Sequence, residues 1–145
     1  MRPKSLNVIE VEYTAFRLAK ILMTWNEPIP SFGSRFPNIL ESCLDQPFIK
    51  FDKKDLYSGL IGKASILFYL MIKNHPFQNG NKRIAIMTLL YFLYKNGKWL
   101  SLDNSGLYKF AYNVANSKPK TKEEMIIYIQ EFIKKHISDF SMPTK

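Results

Sequence analysis

The sequence predicts a mainly α domain of about six helices with one short β-hairpin flap, and three observations carry that reading. Two long segments, residues 60–72 and 84–94, are apolar nearly all round, the signature of helices buried on every side. Residues 5–25 place Leu6, Ile9, Tyr13, Phe16, Ala19, Ile21 and Leu22 close to helical spacing. Phe48-Ile49-Lys50-Phe51-Asp52 instead alternates apolar and polar residues imperfectly, and the charged run Asp52-Lys53-Lys54-Asp55 follows as a turn.

The elements follow in order. Residues 5–25 form a first amphipathic helix, which Pro28 and Pro30 stop, with Gly33 shortly after. Residues 36–44 form a short helix with Pro37 in its first turn, where a missing N–H costs nothing, and Pro47 ends it. The flap leads into the central helix pair. The second of these helices closes at Asn96-Gly97, with the glycine as a left-handed cap. Residues 99–102 read as a linker with buried anchors. Residues 105–116 and 121–136 are the last helices, the latter capped by Thr121 with Glu123 and Glu124 suited to its first turn.

Composition narrows the function classes. A chain of 145 residues, 46% hydrophobic, makes one domain with a real core, here 1–145. Cys43 is the sole cysteine, which excludes an internal disulfide or thiolate metal cluster and points to a buried rather than nucleophilic thiol. The N-terminal residues lack the apolar run of a secretion signal, and no uncharged stretch reaches the roughly 18 residues of a membrane span. A cytoplasmic protein without membrane association is the expectation. The net charge of +9 invites a nucleic-acid reading, but the lysines are scattered and no nucleic-acid-binding motif is present. An acidic protein partner, or simply a lysine-rich proteome, explains the charge as well. Trp25, Trp99, Tyr91 and Tyr94 read as packing residues, and His136 as a cation suited to a helix end.

Between the two apolar helices lies the polar stretch His75-Pro76-Phe77-Gln78-Asn79-Gly80-Asn81-Lys82-Arg83. A loop between core helices is rigidly mounted, as a site needing accurate placement should be. Pro76 biases His75 away from helical geometry, so the upstream helix ends there and the imidazole projects from a turn. Such a histidine suits proton abstraction from a hydroxyl, although a lone histidine after a helix is more often a surface or capping residue. Gly80 and Asn81 stand where the downstream helix begins, so free N–H groups and the positive end of the helix dipole face the loop. Gly80 lets a phosphate approach the backbone, and Lys82 and Arg83 add charge. The plainer alternative is an asparagine cap followed by two solvated cations. A base and a phosphate cradle five residues apart together suggest transfer of part of a nucleotide to a hydroxyl.

This stretch resembles the signature of the Fic/Doc family, His-Pro-Phe-x-(Asp/Glu)-Gly-Asn-(Gly/Lys)-Arg, and of eight specified positions only Asn79 departs. The segments Leu40-Glu41-Ser42, Asp55-Leu56-Tyr57 and Phe92-Leu93-Tyr94-Lys95-Asn96-Gly97 are similar too, so the likeness runs over residues 29–116. The resemblance implies a Fic/Doc-like helical domain that uses ATP, with Mg²⁺ or Mn²⁺, to modify a Ser, Thr or Tyr hydroxyl on a target protein. It makes His75 the general base, Phe77 the anchor of the loop, and Gly80, Asn81 and Lys82 the phosphate holders. Arg83 would neutralise charge developing during transfer, and the flap Phe48, Ile49, Lys50 and Phe51 would dock the target by strand addition.

Asn79 stands where the family places an acidic Mg²⁺ ligand, so metal binding at this point should be weakened. Lys82 resembles the Doc-like branch, which favours γ-phosphoryl transfer and a toxin role over the alternative of adenylylation. A weakened relative that acts by binding nucleotide or partner is the third reading. No serine or threonine is followed four residues later by glutamate, the pattern of the family's inhibitory helix, so restraint would come from a separate acidic antitoxin.

Overall fold

The structure is a computed structural model, and it describes residues 2–22, 29–118 and 121–140. Helix α1 runs through Val8–Glu10, Val11–Phe16 and Arg17–Leu22, the middle piece being π-helical. It starts at Val8 rather than Ser5 because Asn7 caps it: the Asn7 side chain accepts from the Glu10 N–H at 2.9 Å, and Glu10 returns the bond at 3.0 Å. Trp25 and Pro28 lie outside the described residues. A 3-10 turn, Phe32–Ser34, precedes α2, Pro37–Asp45, with Pro37 in its first turn as the sequence predicts. Pro47 does not end the helical path. It sits in a further 3-10 turn, Gln46–Phe48, whose tighter bonding needs no N–H from that residue.

The flap is a two-stranded antiparallel hairpin, β1 Lys50–Phe51 and β2 Lys54–Asp55, joined by Asp52 and Lys53 with φ of 51° and 65°. Two positive φ values in a two-residue turn match the twist of the strands. Phe48 falls outside the strand. It turns inward to meet Phe92 edge-on at 6.3 Å.

Helices α3, Gly59–Lys73, and α4, Asn81–Lys95, share the largest interface of the fold. Residues 62–72 and 83–90 are buried without a break, so an apolar face all round each helix is matched by neighbours all round. Helix α1 packs on α4, while α5, Asn104–Ala115, and α6, Lys122–His136, pack on the pair from the other direction. Gly97, at φ +78°, ends the α4 turn as expected.

Four details depart from the sequence reading. Residues 98–100 are a strand, β3 Lys98–Leu100, which pairs antiparallel with β4 Ile137–Asp139. A three-residue strand pairing with a segment about 40 positions away leaves no periodic signal to read. Tyr94 is 40% exposed rather than core, and its ring meets those of Tyr91, Trp99 and Phe140. Thr121 makes no capping bond to the helix, because its hydroxyl donates backwards to the Lys118 carbonyl at 2.6 Å. Asp103, not singled out, caps α5 by accepting from the Gly106 N–H at 2.8 Å.

The buried charge on α3 was not apparent from sequence either. Lys63 is fully buried, and its ammonium donates to Asp55 Oδ2 at 3.0 Å and to the Tyr57 carbonyl at 2.6 Å. Arg2 adds a second cation to the same carboxylate at 3.1 Å. The base of the flap is therefore bolted to the core by an ion pair. Trp99 does act as a packing anchor, between Tyr94 and Phe140, and Cys43 is buried with its thiol pushed up to about 12 by loss of water. No helix among the described residues is long and apolar enough to cross a membrane.

Candidate active site

Helix α3 stops at Lys73, and the chain turns through Asn74 and His75 into the loop. His75 ends the helix as Pro76 requires, but in the left-handed region, at φ +49°, rather than extended. For a residue other than glycine this conformation is strained, and it swings the imidazole out of the helix line into solvent.

Two anchors hold the loop against that strain. Phe77 is 1% exposed and packs on Phe16 at 5.6 Å and Phe32 at 5.8 Å, so three distant segments meet at one ring. Phe16 closes the π-helical stretch of α1, which makes that helix part of the loop's support. The Pro76 carbonyl also accepts from the Phe36 N–H at 2.9 Å, tying the loop to the start of α2.

The second anchor is Asn81. Its side-chain oxygen accepts from the Phe77 N–H at 3.1 Å and its amide nitrogen donates to the Phe77 carbonyl at 2.9 Å. These two backbone bonds fix which end of the amide is which, so an N–H faces His75 Nδ1 at 3.4 Å. The amide nitrogen can only donate, so in this long contact Nδ1 is the acceptor. The Asn81 side chain is thus a brace for the loop, and only its backbone N–H, at the helix start, is suited to an anion.

Gly80 precedes α4 at φ +74°, a value that a side chain would oppose. Its carbonyl starts the helix by accepting from the Ile84 N–H at 3.1 Å. Asn79 folds its side-chain oxygen back onto the Gly80 N–H at 3.1 Å. The one neutral oxygen at the position of the family's metal ligand therefore already accepts a bond from its neighbour. Among the described residues, no group of three or more His, Cys, Asp or Glu side chains could hold a metal ion.

His75, Gln78, Asn79, Gly80, Asn81 and Lys82 line a single cleft of about 230 Å³, closed on its far side by Ile72 of α3 and Ala115 of α5. Five of the sequence-derived site residues are thereby brought together. Arg83 is not among the lining residues, and it is 5% exposed. The flap residues Phe48, Ile49, Lys50 and Phe51 do not line the cleft either, and of these Phe51 is 74% exposed. Ala115 was not foreseen, because nothing in its sequence neighbourhood marks a wall of a site. Lys73, two residues before His75, holds that wall: its ammonium donates to the carbonyls of Ala115 at 3.3 Å and Ser117 at 2.5 Å.

Neither the curated proteins nor the solved structures compared with the chain give a match. A family model does: that of the Fic/DOC family matches residues 12–93, from the π-helical stretch of α1 through the loop to the end of α4. The match covers more than half of the 145 residues and contains both the loop and the Phe16 that supports it, and the chain belongs to the Fic/DOC family.

Proposed function

We propose that the protein transfers the γ-phosphoryl group of ATP to a hydroxyl side chain of a target protein, as the toxin of a toxin–antitoxin pair. The observation that carries this reading is the joining, in one cleft, of an exposed histidine and a helix start opened by a left-handed glycine. His75 takes the proton of the target hydroxyl, whose oxygen attacks the γ-phosphorus. The bond from that phosphorus to the β–γ bridging oxygen breaks, and ADP leaves with its electron pair. The N–H groups at the start of α4 and the Lys82 ammonium hold the phosphates. Arg83, buried in the first turn of α4, supplies positive charge close to the phosphates. Mg²⁺ would accompany ATP as a phosphate-bound ion. For ATP to enter, its phosphate oxygens must replace the Asn79 oxygen at the Gly80 N–H.

Lys82 at the variable position of the signature supports phosphoryl over adenylyl transfer. The exposed strand edge at Phe51 supports docking of the target on the flap, and the net charge of +9 supports an acidic antitoxin in the cytoplasm of a bacterium. The test is incubation of the purified protein with a bacterial lysate, Mg²⁺ and ATP labelled in parallel at the α or γ phosphate. Label moving only from the γ position supports the kinase reading, and label moving from the α position replaces it with adenylylation.

A further inference from the structure

The pair asparagine–glycine occurs twice in the chain, at Asn79-Gly80 in the loop and at Asn96-Gly97 after α4, and the structure holds the two differently. An asparagine before glycine can close a ring on itself, because the glycine nitrogen attacks the side-chain carbonyl carbon and no Cβ crowds the approach. At Asn96 that route is shut. Its side-chain oxygen accepts from the Lys4 N–H at 2.7 Å, and its amide nitrogen donates to the carbonyls of Lys4 at 3.1 Å and Phe92 at 2.9 Å. The Gly97 N–H is given to the Tyr94 carbonyl at 3.0 Å, so both reacting groups are engaged elsewhere.

Asn79 is the opposite case. It is exposed, and its side-chain oxygen lies on the Gly80 N–H at 3.1 Å, which sets the side-chain carbonyl group against the nitrogen that would attack it. The chain is fixed on both sides of the pair: Phe77 by the Asn81 amide, and Gly80 through its carbonyl, which accepts from the Ile84 N–H at 3.1 Å. The reacting groups are therefore kept close in a rigid loop that water reaches through the cleft.

We infer that Asn79-Gly80 is a self-modification site, at which the folded loop converts Asn79 to an acidic residue. The Gly80 nitrogen gives its proton to water and bonds to the Asn79 Cγ, while negative charge builds on Oδ1 at the positive end of the α4 dipole. The bond from Cγ to Nδ2 then breaks, Nδ2 takes up a proton and leaves as ammonia, and a cyclic imide remains. Water opens it. Addition at Cγ breaks the bond to the Gly80 nitrogen and leaves aspartate, whereas addition at the main-chain carbonyl carbon leaves an isoaspartyl link. The sum is amide plus water giving acid plus ammonia, with no other reactant. The consequence for activity rests on the proposed function: the aspartate product carries a carboxylate beside the phosphate cradle, and a hard cation such as Mg²⁺ prefers it to an amide.

The experiment is incubation of the full chain at neutral pH, with peptide mass spectrometry following the amide-to-acid mass gain at positions 79 and 96. In the folded protein position 79 should convert at least about tenfold faster, the rate equivalent of freeing one hydrogen bond of Asn96. In guanidinium chloride the two rates should converge, and Asn79→Gln, whose longer side chain closes the ring poorly, should show no gain at position 79. Equal rates in the folded protein, or no conversion at position 79, overturn the inference. Label transfer by fresh, aged and Asn79→Asp protein reads the consequence separately. A rate that rises on ageing towards that of Asn79→Asp supports the gain of a metal ligand, and conversion without any rise overturns it. Absence of transfer from all three counts against the proposed kinase and leaves the mass measurement standing.

Discussion

The amide of Asn81 bonds both backbone groups of Phe77, at 3.1 and 2.9 Å, and this one residue also sets the orientation of His75. Asn81→Ala leaves a buried N–H and a buried carbonyl without partners, each costing about 1–3 kcal/mol. Thermal denaturation should show that loss. Asn81→Asp should recover part of it through the acceptor it retains for the Phe77 N–H.

Phe77→Ala removes the ring on which Phe16 and Phe32 converge and should destabilise the fold by about 3–5 kcal/mol. Phe16→Leu, which keeps most of the volume, should cost far less. Equilibrium unfolding in urea measures both, and equal losses would mean that Phe77 anchors nothing in particular.

The flap predicts a pH effect with a definite sign. The Lys63 hydrogen bond, aided by the charges of Lys63 and Arg2, holds the Asp55 carboxyl below its ordinary 3.8, against a smaller opposing effect of burial. A carboxyl whose folded pKa is depressed contributes stability that is fully present above its unfolded value and lost as pH falls through the folded one. Amide protection in β1 and β2 should therefore hold down to about pH 4 and fall below it. Lys63→Met removes the largest of these contributions and leaves that of Arg2, so the step should shrink while protection is lower above about pH 4.

Lys53 sits at φ +65° in the flap turn, where glycine is at ease. Lys53→Gly should stabilise the hairpin by about 0.5–1 kcal/mol, read as slower amide exchange at Phe51 and Lys54.

How much of this was legible beforehand follows from the kind of signal each residue leaves. The buried helices α3 and α4 and the hairpin announce themselves by local patterning, and the loop by its unbroken run of special residues. The strand pair β3–β4, the support of Phe77 by Phe16, and the Lys73 brace on Ala115 are contacts between segments far apart in sequence, and no local period encodes them. Arg83 reads as a solvated phosphate ligand because arginine is seldom buried, and only the packing of α4 buries it. Lys63 hides for the same reason.

Asn79→Asp replaces a neutral oxygen with a carboxylate able to hold Mg²⁺. If the natural residue limits metal binding, the variant should label its target faster and at lower Mg²⁺. An unchanged rate and Mg²⁺ dependence would show that the position has no part in metal binding.

The central claim is that His75 performs the chemistry, and the direct measurement is label transfer from γ-labelled ATP by the wild-type protein and by His75→Ala, at equal concentration and with matched unfolding curves. The account predicts that the substitution lowers transfer by at least about a hundredfold while the fold persists. Transfer that continues at the wild-type rate in the folded variant would contradict it.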